Sequence, residues 1–287
     1  VSLGVYHEPA RDVPILAECD VVVCGGGPAG CAAAIASARH GAKTLLVEQY
    51  GYLGGAAVSQ LVPVVLSTNG LDFPSTWHAF MGELQRLGSV NEMRRGDQRP
   101  YWLMTTYSPE MAKAAWDNLM EASGADVLFH CYVSDAIVED GTIKGVVCLT
   151  RAGKRAILAQ RVVDCSGDAL VSAQAGAGWD MGTDGACTKM LRLANAHKAE
   201  WWNDAVLLEA IEHGHQAAVA SRRFDAPHIT SGFVLKYLKD RAGKELPGQQ
   251  LLLNVVRLLR VNPLDPFDIS HNERLGRRIA RQIAAYY

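Results

Sequence analysis

The stretch from Asp20 to Glu48 constrains this chain more than any other. Val21-Val22-Val23-Cys24 is a short apolar run of β-branched residues, suited to a strand buried on both faces. Gly25-Gly26-Gly27-Pro28-Ala29-Gly30 breaks that run. Cys31 to His40 is rich in small helix formers, and Arg39 and His40 suit a last turn. Gly41 follows, at the position where a helix stops in left-handed geometry. Thr44-Leu45-Leu46-Val47-Glu48 reads as a second buried strand. Two strands joined by one helix over this length make a βαβ unit with parallel strands.

Within that unit the glycines fall as Gly25-x-Gly27-x-x-Gly30, and Glu48 ends the next strand about 20 residues on. Each part has a physical task. Gly25 permits the tight turn from strand to helix. Gly27 lacks a side chain, so a pyrophosphate can approach the backbone. Gly30 lets the helix pack closely on the sheet. The free N–H groups and dipole of the helix start then face the phosphates. Glu48 can accept hydrogen bonds from both hydroxyls of an adenosine ribose and disfavours a 2′-phosphate. The pattern therefore implies a dinucleotide with an unphosphorylated adenosine ribose, and by itself it does not separate FAD from NAD.

Downstream, Gly51, Gly54 and Gly55 mark a glycine-rich loop. Residues 61–66 are apolar but hold Pro63, which predicts a short edge strand or loop. Pro74 to Leu87 has helical spacing, and Asn91 to Pro100 reads as a charged, irregular, exposed loop. Ser108-Pro109-Glu110 is a helix start, and Gly124 ends that helix. Val127-Leu128-Phe129 is the next strand. Runs at 131–139, 142–150 and 155–164 follow, punctuated by Asp140-Gly141 and Ala152-Gly153, as an antiparallel meander. Cys165-Ser166-Gly167-Asp168 ends the last of these, and a small-residue helix begins near Ala169. Beyond about Trp179 the pattern weakens. Asn203 to Ala220 reads as a helix, Leu251 to Val261 as a strand, and Asn272 to Tyr287 as a helix. Its Arg274, Arg277, Arg278 and Arg281 form a solvated basic face.

Composition sets limits on partners. The 287 residues carry a net charge of -2, so no global positive field favours nucleic acid or an anionic membrane. The uncharged run Val21 to Ala38 approaches membrane length, but its central glycines and proline read as strand, turn and helix. Seven cysteines occur at wide spacings with no CxxC pair, which gives no support to a zinc or iron–sulfur ligand set. They read as buried free thiols in a reducing compartment. With no secretory signal at the start, a cytoplasmic location is expected. The histidines are scattered, and none stands out as a catalytic base, so the catalytic residues are not assigned. Ser166 is not in a G-x-S-x-G elbow, and no P-loop is present.

The residues Asp20 to Gly55, with Gly25-Gly26-Gly27-Pro28-Ala29-Gly30, Glu48 and Gly54-Gly55, resemble the two-dinucleotide-binding flavoprotein superfamily. Val163-Asp164-Cys165-Ser166-Gly167-Asp168 resembles its second flavin motif. More narrowly, the chain resembles the FAD-dependent oxidoreductase family related to the flavin subunit of heterodisulfide reductase. The Leu53-Gly54-Gly55 loop, Asp164 to Gly176, and Asn262 to Asp268 carry that match. The resemblance implies an α/β fold. A Rossmann-like FAD-binding domain carries the antiparallel meander, with an inserted or following substrate domain. The expected division is an extension at 1–19, an FAD-binding domain at 20–178 with a helical or loop insertion near 61–107, and part of a substrate domain at 179–287. The family's C-terminal return to the FAD domain is not found, and a truncated chain is expected.

The resemblance also implies FAD contacts. Gly25, Gly27 and Gly30, with Pro28 and Ala29, fall at the pyrophosphate. Glu48 falls at the ribose, Gly54 and Gly55 along the pyrophosphate and ribityl chain, and Gln49 is also expected among the cofactor-binding residues. Val133 would hold the adenine through its backbone, and Ser166, Gly167 and Asp168 would lie near the pyrophosphate. The expected activity is hydride transfer from a small-molecule substrate to flavin. A flavin-carrying electron-transfer subunit and an NAD-dependent dehydrogenase stand as alternatives. No metal, nucleic-acid or membrane partner is expected, and a homo-oligomer is left open.

Overall fold

The computed structural model describes residues 4–66, 76–94, 103–182, 186–193 and 251–286. Cα packing divides the chain into two compact units. The first comprises Val1–Gly55, Pro74–Phe80 and Lys113–Trp179. The second comprises Ala56–Phe73, Met81–Ala112 and Asp180–Tyr287.

The first unit is built on a six-stranded sheet. Its strands are β1 (Ile15–Cys24), β2 (Thr44–Val47), β6 (Asp126–Leu128), β7 (Tyr132–Glu139), β8 (Thr142–Thr150) and β9 (Gly153–Asp164). Their spatial order is β6-β2-β1-β9-β8-β7. β6, β2, β1 and β9 run parallel, while β8 and β7 add antiparallel to β9. All four residues of β2 are buried, as a central parallel strand requires. Helix α1 (Pro28–Arg39) links β1 to β2 and buries Gly30, Cys31, Ala34 and Ile35. Arg39 lies in its last turn, and Gly41 follows the His40 cap at φ +87°. Under the meander, Val22, Val47, Val146 and Ile157 share one core with Cys24, Cys131 and Cys148. Phe80 stacks on Trp116 with centroids 4.1 Å apart and planes 11° from parallel.

Register decides where loops collect. Cys24 is level with Val47 on one side and with Asp164 on the other, and Val47 is level with Leu128. The four parallel strands therefore end together. The first crossover from β1 leads to β2, while β9 returns on the opposite side of β1. That arrangement opens a crevice beyond the carboxyl end of β1, where open α/β sheets bind ligands.

The second unit holds a three-stranded antiparallel sheet of β3 (Val64–Leu66), β5 (Leu103–Tyr107) and β4 (Val90–Arg94), in that order. It also holds the antiparallel pair β10 (Ala186–Leu193) and β11 (Leu251–Leu259). Helix α6 (Pro266–Tyr286) packs on this pair. A Cβ at Gly276 would lie 3.4 Å from the Leu258 side chain and 3.5 Å from Lys189, so the helix sits close to the strands. Glu273 bridges Lys189 at 2.6 Å and Arg277 at 2.7 Å. The remaining helices among the described residues are α2 (Ala56–Ser59), α3 (Thr76–Arg86), α4 (Pro109–Ser123) and α5 (Leu170–Gln174).

Several expectations need correction. β1 begins at Ile15, inside the stretch 1–19 expected as an extension, because β9 is long enough to pair Ala156 with Ile15. Within 61–107 the short edge strand expected near 61–66 forms as β3, and where helix and loop are otherwise expected two further strands pair with it in a sheet. Asn91 to Arg94, expected as the start of an irregular loop, instead pairs along β5. The second meander turn is Arg151-Ala152, since Gly153 already pairs with Thr150. Helix α6 starts at Pro266 rather than Asn272. Asp265 Oδ1 accepts from the Phe267 amide at 2.9 Å, and Pro266 occupies the first turn, where its missing N–H costs nothing. Cys187 is exposed, against the expectation of buried thiols, whereas Cys24, Cys31, Cys131 and Cys148 are buried. The helix expected at Asn203 to Ala220 lies outside the described residues.

Candidate cofactor site

Three loops leave the level strand ends and meet. The first is the glycine turn after β1. Gly25 has φ +107°, and its amide donates to the Val47 carbonyl at 2.8 Å. A Cβ there would lie 2.3 Å from the Cys165 carbonyl oxygen, so Gly25 is fixed by backbone shape and by contact with the third loop. A Cβ at Gly30 would lie 1.8 Å from the Gly25 carbonyl oxygen, which shows how closely α1 seats on its own strand.

Gly27 differs from both. It caps α1 in extended geometry, φ -69° and ψ 178°, and the nearest atom to a Cβ there is the Gly55 Cα at 3.9 Å. The space beside Gly27 is open in a motif otherwise packed tight. The first-turn amides of Ala29 and Gly30 have no intrahelical acceptor, and Pro28 carries no N–H at all. This end of a 12-residue helix suits an anion.

The second loop, Tyr50 to Gly55, folds back on the first. The Gly54 amide donates to the Gly26 carbonyl at 2.9 Å, and a Cβ at Gly55 would come within 2.8 Å of the Gly27 Cα. Glu48 lies between these loops and is 6% exposed. One carboxylate oxygen accepts from the Gly26 amide at 2.6 Å and the other from the Tyr50 amide at 2.7 Å. Sequence reasoning gave Glu48 a ribose role alone and missed these two amides. Each oxygen still has a second lone-pair direction for a hydroxyl donor. Glu48→Gln is expected to cost the folded protein about 1–3 kcal/mol, because a carboxamide turns an N–H₂ toward one of the two amides. The check is the thermal midpoint; an unchanged midpoint would mean that both amides find other acceptors.

The third loop follows β9. The Cys165 amide donates to the Cys24 carbonyl at 2.9 Å, which ties the second motif to the strand before the first. Burial, and then the neighbouring Asp164 carboxylate, push the Cys24 thiol up to about 12, so it stays a neutral core thiol. Gly167 has φ +90° with nothing within 4 Å of a Cβ, and Gly167 and Asp168 are exposed. Ser166 is half-buried.

Gly25, Gly27, Pro28, Ala29, Gly30, Glu48, Gly54, Gly55, Ser166, Gly167 and Asp168 thus belong to three converging loops of one unit. Gln49 is exposed beside Glu48. Val133 stands apart: it lies opposite Cys148 in β7, with its side chain in the core. The link to that side is made by backbone, since Cys131 donates to the Glu48 carbonyl at 3.0 Å and His130 to that of Tyr50 at 3.2 Å. Among the described residues no group of three or more His, Cys, Asp or Glu side chains gathers as a metal ion would need. No described helix is long and apolar enough to cross a membrane.

A parallel sheet with a glycine turn, a buried carboxylate on the neighbouring strand and an added meander defines a dinucleotide-binding flavoprotein. The sequence profile of the FAD dependent oxidoreductase family matches residues 20–287, and the chain belongs to that family. Its cofactor is FAD. Among curated relatives, a thiamine thiazole synthase of Aeropyrum pernix is 34% identical over 169 residues, covering 53% of this chain and 56% of the relative. The tRNA uridine 5-carboxymethylaminomethyl modification enzyme MnmG of Alkaliphilus metalliredigens is 32% identical over 148 residues, covering 47% of this chain and 22% of the relative. The chain therefore spans little more than half the length of the first relative and under a quarter of the second. A geranylgeranyl bacteriochlorophyll reductase-like protein of Thermoplasma acidophilum shares the fold at a TM-score of 0.51. It is 15% identical, covering 92% of this chain and 62% of that one.

Proposed function

We propose that this FAD-dependent oxidoreductase oxidises a small organic substrate, with the first unit as the FAD-binding domain and the second as part of the substrate side. The observation that carries the cofactor placement is the open face of Gly27, facing Gly55 beside the buried Glu48 carboxylate. The residues present fit the cofactor. Gly27, Ala29 and Gly30 would receive the pyrophosphate, assisted by Gly54, Gly55, Gly167 and Asp168. Glu48 would accept from the ribose hydroxyls, with Gln49 beside it, and the β7 backbone near Val133 would face the adenine. When bound, FAD supplies the hydride acceptor of the reaction. The chain's own part at these loops is to bind and orient, and the expected partner is a small molecule.

The test is the visible spectrum of the purified protein, followed by anaerobic addition of a panel of alcohols, amines and hydroxy acids. Flavin bands near about 370 and 450 nm that bleach with a member of the panel would support the reading. A flavin that no small molecule bleaches, but that a partner protein reduces, would replace it with an electron-transfer subunit. A protein that fails to take up added FAD would overturn the cofactor placement.

A further inference from the structure

Asp164 was not among the expected site residues, yet it is the most fully engaged carboxylate at the strand ends. It is the last residue of β9 and is level with Cys24. Its Oδ1 accepts from the Ser166 amide at 3.1 Å and the Ser166 hydroxyl at 2.7 Å. Its Oδ2 accepts from the Ser172 amide and the Ser172 hydroxyl, both at 2.8 Å. The Ser166 Oγ in turn accepts from the Leu170 amide at 2.9 Å. One carboxylate therefore grips the chain on both sides of residues 167–169 and joins the strand end to α5.

The gripped segment needs such a hold. Gly167 has φ +90°, and Ala169, which does carry a Cβ, sits in the left-handed region at φ 52° and ψ 33°. A left-handed non-glycine residue is strained and persists only where its surroundings over-determine it. Here the surroundings are the four hydrogen bonds to Asp164. They also set the acid's charge. Burial alone would raise its pKa, but the hydrogen bonds from Ser166 and Ser172 outweigh burial and hold the carboxyl below the usual carboxylate range. The anion, the form that accepts four donors, is thus the working form. The segment also lies where its shape matters, since the Cys165 carbonyl abuts Gly25 and the Cys165 Cβ would lie 3.3 Å from a Cβ at Gly30.

We propose that Asp164 is a positioning residue for the cofactor: through Ser166 and Ser172 it holds the 167–169 segment in the one shape that leaves Gly167 open, two residues after the Cys165 carbonyl that abuts Gly25. This rests on the cofactor placement above. Asp164 need not touch the ligand; it acts by preorganising the loop that does.

The experiment measures the FAD dissociation constant of the cofactor-stripped protein at a temperature where circular dichroism shows each variant fully folded, with the thermal midpoint of each apoprotein recorded beside it. Asp164→Asn keeps the size of the side chain but turns an N–H₂ toward one pair of donors. It is expected to weaken FAD binding at least about tenfold. Ser172→Ala keeps the carboxylate and removes one hydroxyl, and a weakening of about threefold is expected. Ser172→Thr restores the hydroxyl and should bind as the wild type does. If Asp164→Asn does not fold, the two Ser172 variants decide. A purely structural Asp164 would lower the midpoints while every folded variant binds FAD within about twofold of the wild type, and that result overturns the proposal. A wild-type protein that binds no FAD would instead overturn the cofactor placement itself.

Discussion

Gly30→Ala is expected to leave little folded protein. By helix propensity alone the change should help, since alanine is favoured over glycine by about 1 kcal/mol inside a helix. Contact reverses the sign. The added Cβ would lie 1.8 Å from the Gly25 carbonyl oxygen and 3.3 Å from the Cys165 Cβ. The first of these is backbone and cannot rotate away, so α1 would have to lift off the end of β1. Overpacking typically costs about 1–3 kcal/mol where side chains can yield, and a clash with backbone lies at or above the top of that range. The measurement is soluble yield and the thermal midpoint of the apoprotein. A midpoint equal to that of the wild type would mean that the helix does not sit as closely as the geometry requires.

Gly27→Ala, three residues away in the same motif, is expected to do the opposite. Its φ and ψ are open to any residue, and the nearest atom to the new methyl is 3.9 Å off. The apoprotein midpoint should be almost unchanged. FAD affinity should fall about 100-fold, or ~2.7 kcal/mol, because the methyl takes the space through which a pyrophosphate reaches the backbone. Unchanged affinity would move the pyrophosphate away from Gly27. Together the two substitutions separate a glycine kept for the fold from a glycine kept for the ligand, a distinction that the spacing of the motif does not show.

Local order explains which features could be read from the chain. The β1–α1–β2 unit was legible because its signals lie within 30 residues: an apolar run, a glycine break, a helix of small residues and a stop at Gly41. The meander was legible for the same reason, with turns at close intervals. In the sheet β3-β5-β4 only the edge strand near 61–66 was legible. Asn91, Glu92 and Arg94 have the polarity of a loop, and they become a strand only because residues 103–107 lie alongside. Strand preference depends on such neighbours more than helix preference does. The start of α6 was within reach, since Asp265-Pro266 is a capping pair. The preceding Asn-Pro-Leu-Asp reads equally well as a turn, and only the capping hydrogen bonds decide between them.

The candidate site divides along the same line. The residues Gly25, Gly27, Gly30 and Glu48 were visible from their spacing, and Gly167 from the resemblance to the flavoprotein family. The role of Asp164 was not: its hold on the amide two residues on and its reach to Ser172 appear only in the structure. The two amides that hold Glu48 belong to Gly26, 22 positions earlier in the chain, and to Tyr50. The sequence by itself determined that the chain builds a dinucleotide-binding βαβ unit, because turn, helix start and strand end are properties of neighbouring residues. Only the tertiary structure decided which glycine is pressed against backbone and which stands open. Those contacts form where β1, β2 and β9 end level, and the level of β9 is set by hydrogen-bond register with β1, a segment more than a hundred residues away in the chain.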